Sequence, residues 1–225
     1  MYINTTGTHN VAIGNASLGL NTTASYNTAL GYKSLYANTT GNYNVAVGGF
    51  ALDANTSANS NTAVGYSSLT ANTTGTDNTA LGRDALLSNT PSSNNTALGS
   101  SALRLNTTGT LNTAVGTGSL ASSTTANYNT AVGNNALNAN TSGTQNTAIG
   151  ARALDVNTSG SYNIAAGSDA LGANTTGAAN TVFGVYALNS NTTASNNTAV
   201  GYLSLAANTT GALNSALGTG SLTAN

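Results

Sequence analysis

Chemistry needs a base, a nucleophile or a set of metal ligands held close together, and this chain supplies few of them. His9 is the sole histidine, Cys is absent, and every acidic residue is Asp. Without Cys or Glu, His9 cannot assemble a zinc site or a nucleophile–base–acid triad; it reads as an exposed, incidental residue. Asp77 lies near Asp84, and Asp155 near Asp169. A glycosidase needs two carboxylates at a defined separation in a cleft, whereas these acids are scattered and read as a solvated face. The many glycines are not followed by Lys in a strand-to-helix context, so they form no phosphate loop. No catalytic residue, metal site or cofactor is expected, and the chain does not read as an enzyme.

The tyrosines are better candidates for recognition. Tyr32, Tyr66 and Tyr202 are separated by multiples of seventeen residues, and so are Tyr26, Tyr43, Tyr128 and Tyr162. Exposed aromatics stack on sugars or on another protein; they also simply cover an outer face. Asn-Thr-Thr and Asn-Thr-Ser recur as well and formally match the N-glycosylation acceptor. Glycans repeated every ~4.8 Å would collide, so an internal role is favoured. Recurring Thr raises the possibility of an ice-binding array, but Thr follows Thr, and two adjacent side chains do not form a plane of two ranks.

These spacings come from a repeat. Thirteen copies of a seventeen-residue unit begin at Asn4, Asn21, Asn38, Asn55, Asn72, Asn89, Asn106, Ser123, Asn140, Asn157, Asn174, Asn191 and Asn208, without insertion or deletion. A fixed period of this kind means a stacked array, here a single body over residues 1–225. Numbered from the leading Asn, position fifteen is Leu in every copy, position eleven Gly, position seven Asn and position two Thr. Position ten is apolar throughout, as in Ile13, Leu30, Val47, Val115, Ile149, Phe183 and Leu217. Positions ten and fifteen are the expected core. Position nine is Ala in every copy but one, which has Val182; pointing opposite to position ten, it is the expected lateral contact with another chain.

Gly at position eleven supplies a turn, either through positive φ or because no Cβ fits. Two short extended pieces are expected, over positions seven to ten and roughly thirteen to seventeen. Gly every seventeen residues leaves no room for a helix, and helical repeats run to about 33 residues or more. Stacked identical amides hydrogen-bond up an array, so both Asn columns read as internal ladders. The fold class is therefore all-β, a parallel β-solenoid of about thirteen coils. The array is in phase from Met1, in the Leu column, to Asn225, the first position of a further copy, so no caps are expected and end-to-end stacking is an option.

The segments N-V-A-I-G-N-A-S-L (10–18), N-V-A-V-G-G-F-A-L (44–52) and N-T-A-I-G-A-R-A-L (146–154) resemble the head repeats of trimeric autotransporter adhesins. They are similar too to the Asn-Thr-Ala-Val-Gly repeats of bacteriophage tail fibres. The resemblance implies a left-handed β-roll with three chains side by side. The repeat here is longer than the adhesin head repeat, and the chain carries no neck, stalk, anchor or chaperone segment.

Composition limits the partners. Charged residues are 4% of the chain, against roughly 25% in a typical soluble domain. Net charge is −1, so there is no basic footprint for nucleic acid. No apolar run approaches the ~18 residues of a membrane span. The expectation is a structural segment of an extracellular, cell-surface or virion fibre, homo-oligomeric, with a glycan- or receptor-binding adhesin module as the alternative.

Overall fold

A computed structural model describes residues 3–223. Met1, Tyr2 and Asn225, on which the phase of the terminal copies was read, lie outside the described residues. Among those described there are thirteen parallel strands of three residues and no helix. Contacts divide the chain after Leu111. The first unit holds β1 (Val11–Ile13), β2 (Thr28–Leu30), β3 (Val45–Val47), β4 (Thr62–Val64), β5 (Thr79–Leu81) and β6 (Thr96–Leu98). The second holds β7 (Thr113–Val115), β8 (Thr130–Val132), β9 (Thr147–Ile149), β10 (Ile164–Ala166), β11 (Thr181–Phe183), β12 (Thr198–Val200) and β13 (Ser215–Leu217). Within each unit consecutive strands pair in parallel, every residue opposite the one seventeen later: Thr62 with Thr79, Ala148 with Ala165. This is the parallel β-solenoid expected from the repeat.

The strands occupy positions eight to ten. Their hydrogen bonds continue past them: Thr28 N–H donates to the Asn44 carbonyl (2.9 Å) and Gly31 N–H to the Ile13 carbonyl (2.8 Å). Gly at position eleven is needed twice over. Gly31 has φ 135°, and a Cβ there would lie 2.6 Å from the Gly48 carbonyl oxygen.

The second extended piece, over positions thirteen to seventeen, is not a strand. The backbone runs through overlapping turns, with Ser34 N–H donating to the Gly31 carbonyl (3.4 Å) and Asn38 N–H to that of Leu35 (3.5 Å). The cause is positive φ at positions thirteen and fifteen, for example 52° at both Lys33 and Leu35. Strands do not tolerate that geometry. The segment still joins the stack, because Leu35 N–H reaches the Ala51 carbonyl and Ala37 N–H that of Asp53, each at 2.9 Å.

Position six is left-handed too, from His9 to Leu213. Positions six, thirteen and fifteen, Gly only at Gly118 and Gly220, thus sit in a region that L-residues visit rarely and β-branched residues least of all. The sequence obeys this. No Val, Ile or Thr occurs at positions six, thirteen or fifteen in any copy, although Thr is abundant elsewhere. It also explains why the core column is Leu and never its isomer Ile.

The core corrects one expectation and bears out another. Leu at position fifteen is fully buried from Leu18 to Leu205. Position ten is not core: Leu30 is 42% exposed, Ile149 46% and Phe183 45%, whereas the Ala at position nine is fully buried from Ala29 to Ala199. A coil of seventeen residues encloses a narrow interior. Opposite the Leu side chain, little more than a methyl fits. Strand residues alternate sides, so placing Ala inside turns positions eight and ten outward. Position nine, expected as a lateral contact, is thus enclosed within its own coil, and positions eight and ten face outward.

The left-handed sites give a test free of packing effects. Gln145 is exposed with φ 56°. Gln145→Asn should leave stability unchanged, while Gln145→Val should lower it by about 1–2 kcal/mol. Denaturant titration of the two variants against wild type measures this.

Candidate functional site

Two amide columns line the interior. At position one, Asn55 Nδ2 donates to Asn38 Oδ1 (2.9 Å) and to the Ala58 carbonyl (3.2 Å). At position seven, Asn44 N–H donates to Asn27 Oδ1 (2.9 Å) while its Nδ2 donates to the Ala58 carbonyl (2.8 Å). The position-one amide thus ties its coil to the one before and closes its own turn at position four, while the position-seven amide closes that turn in the coil after. The position-one amides from Asn21 to Asn191, Ser123 aside, are fully buried, which leaves no access for glycan attachment in the folded chain. Thr at position two has its hydroxyl engaged as well: Thr158 Oγ1 and Thr175 Oγ1 each donate to the next coil's Thr carbonyl at 3.0 Å. These ladders tie successive coils together.

The outer sheet face presents position eight, mostly Thr, beside the apolar column at position ten. None of the chain's charged residues lies on it; all occupy positions six, twelve, thirteen and sixteen.

The tyrosines fall into distinct settings. Tyr26 is sandwiched between His9 (ring centroids 4.7 Å apart) and Tyr43 (5.2 Å), all nearly parallel. Both faces of Tyr26 are covered, so these three rings form a short stack that begins at His9. Tyr32 and Tyr66, two coils apart, flank Phe50 edge to face at 5.2 and 5.8 Å. Lys33 Nζ lies 5.8 Å from the Tyr32 ring and 5.4 Å from that of Tyr36, within cation–π range. Sequence reading passed over Phe50 and Tyr36, which sit at other repeat positions. Tyr128, Tyr162 and Tyr202 are exposed, and among the described residues no ring stacks on them.

The second unit holds a notch of about 520 Å³, bordered by Arg152, Asp155, Asp169, Gly172, Asn189 and Ser190. Sequence reading treated these charges as a solvated face. The stack brings them together, because residues at positions thirteen and sixteen of successive coils become neighbours. Arg152 donates from Nε and Nη2 to the two carboxylate oxygens of Asp169 at 2.8 and 2.9 Å. That hydrogen-bonded pairing holds the Asp169 carboxyl below the usual range, while burial pushes the Asp155 carboxyl up. In the first unit, Arg83 and Asp84 make a looser pair at 3.7 Å, Asp77 belongs to no ion pair among the described residues, and burial raises the Asp53 carboxyl too. No group of three or more potential ligands gathers as a metal site among the described residues.

Comparison with protein-family models, curated proteins and solved structures returns no match. The fold therefore stands on its own geometry.

Ser123 interrupts the position-one ladder, and its Oγ is buried without a partner. Asn140 Nδ2 donates to the Gly143 carbonyl (2.9 Å), whereas Asn157 Nδ2 reaches both the Gly160 carbonyl (3.0 Å) and Asn140 Oδ1 (2.9 Å). Ser123→Asn should supply the missing acceptor and raise stability by about 1 kcal/mol, and Asn157→Ser should lower it by at least as much. Chemical denaturation of both variants checks the ladder.

The notch gives a pH test with opposite signs. Asp169 has a depressed carboxyl pKa when folded, so its stabilising contribution is full above the ordinary value of 3.8 and lost as pH falls through the depressed one. Asp155 has a raised pKa, so its contribution is present below 3.8 and lost as pH rises through the raised value. At neutral pH, Arg152→Gln should lower the melting temperature and Asp155→Asn should leave it equal or higher. Both differences should shrink on acidification, as thermal melts over a pH series will show.

Proposed function

We propose that the chain is a structural segment of an extracellular, cell-surface or virion fibre, a stiff β-solenoid spacer whose outer sheet face packs against further copies of itself. The observation that carries this is the exposed apolar column at position ten. A contiguous apolar face on a soluble chain marks an interaction surface. Each column repeats at one spacing, so a second copy in register presents the same pattern. With charge absent from this face, no repulsion opposes the approach. The resemblance to adhesin heads favours three left-handed coils side by side. No helix among the described residues is long and apolar enough to cross a membrane, and the proposed role needs no reaction, cofactor or nucleic acid.

A second reading, a glycan- or receptor-binding module, is favoured by Tyr32 and Tyr66. Phe50 fixes their orientation while they remain about half exposed.

Adjacent residues of β9 separate assembly from folding. Ile149→Lys combined with Val132→Lys, both on the outer face, should convert an oligomer to a folded monomer. Ala148→Lys, which places a charge in the core, should instead unfold the chain locally at a cost of several kcal/mol. Light scattering and circular dichroism read the two outcomes. A wild-type monomer at micromolar concentration would refute the lateral assembly.

A further inference from the structure

The notch in the second unit is a built feature. Position sixteen carries Asp155 in one coil and Asn189 two coils later; Gly172 between them leaves out one side chain. Its floor includes the small apolar residues Val156 and Ala173. One side is fixed, since Asp169 is held by Arg152 Nε and Nη2 and accepts from Ser168 Oγ (2.9 Å). The remaining polar groups are uncommitted: among the described residues, no hydrogen bond is made by the side chains of Asp155, Asn189 or Ser190, and Arg152 Nη1 is likewise unused.

We propose that this notch binds a neutral sugar, one pyranose ring of a glycan. Its volume suits a small ligand. Asp155 offers acceptors, Arg152 donors, and Asn189 and Ser190 both, which is the mixture that neighbouring hydroxyls require. Val156 and Ala173 face the C–H surface of the ring. An anionic ligand would meet Asp155 and Asp169. A bare divalent cation would need about six or more oxygen ligands and would sit beside the Arg152 guanidinium. The proposal does not rest on lateral assembly, because every residue it uses belongs to one chain and lies at positions thirteen, sixteen and seventeen, away from the outer sheet face.

The test is saturation-transfer NMR on the full chain with the methyl glycosides of glucose, galactose, mannose and N-acetylglucosamine, supplemented by a calcium titration. Gly172→Asn fills the notch. Asn138 and Asn189 already occupy this position in other coils, and Gly172 has no left-handed backbone to strain; a Cβ there meets first the Asn189 Oδ1 atom, the end of a movable side chain. At least one glycoside should show transfer to wild type, and Gly172→Asn should weaken binding at least tenfold while its melting curve is unchanged. Tyr32→Ala combined with Tyr66→Ala, which leaves the notch intact, should bind as wild type does. Absence of transfer from every glycoside would overturn the proposal, as would transfer that survives Gly172→Asn or is lost with the tyrosine pair. Calcium-induced shifts without sugar transfer would overturn it in favour of a cation site.

Discussion

Each coil must bring its end to the start of the next within seventeen residues, and it does so by holding positions six, thirteen and fifteen at positive φ, nearly always with residues other than Gly. Such a conformation is unfavourable for an L-residue taken alone. It persists because the neighbouring coils fix it: Lys33 N–H donates to the Asn15 carbonyl (3.0 Å) and Tyr26 N–H to that of Thr8 (3.0 Å). The strain of one coil is thus held by hydrogen bonds to its neighbours, which ties local backbone geometry to stacking. The buried amides serve the same end. They take up carbonyls at the turns that would otherwise be left without a donor in the interior.

The periodic part of this architecture was legible, and the reasons differ by residue. The Leu column, the Gly corner and the Asn ladders repeat nearly without exception, so their roles could be argued from residue type and stacking alone. Positions nine and ten show where the argument failed. Alternation along Thr-Ala-Val reveals that two faces exist but not which one is inside. Hydrophobicity favours burying Val over Ala. The cross-section overrules it, because the Leu from the far side already fills the interior. Val182 shows that the limit is not a strict exclusion of anything beyond Ala, since it too is fully buried. The segment after Gly failed for another reason: the absence of Val, Ile and Thr at positions thirteen and fifteen was a readable sign of positive φ, and it contradicts a strand.

The variable positions carry information of a different kind. Within one copy, Arg152 and Asp155 are only two charges near a turn. The pairing with Asp169, and the space above Gly172, exist only between coils. A site of this sort is written across the columns, at offsets of seventeen and twenty residues, and no short linear motif describes it. The same offsets join Thr70 Oγ1 to the Phe50 carbonyl and Asn138 Nδ2 to that of Gly118, each at 2.8 Å. Thr70 and Asn138, at position sixteen, thus cover the carbonyl of position thirteen in the coil before, whereas the Asn189 side chain does not. Gly172 forgoes that contact, which is what opens the notch.

The placement of charge bears on the outer sheet face. A sheet surface meant to remain in water normally carries charged side chains that discourage pairing with other molecules. This chain has few charges, and it sets all of them at turn positions. Positions eight and ten, which the structure turns outward, hold Thr, Val, Leu, Ile, Phe, Ala and Ser instead. Chance is a poor account of that distribution, because the same outward exposure at positions six, thirteen and sixteen admits Asp, Arg or Lys. Burying the column against another copy would recover apolar area that a narrow coil cannot enclose by itself. In a coil this thin, the interior holds one Leu and a few small side chains, and the larger apolar side chains at position ten stay on the outside.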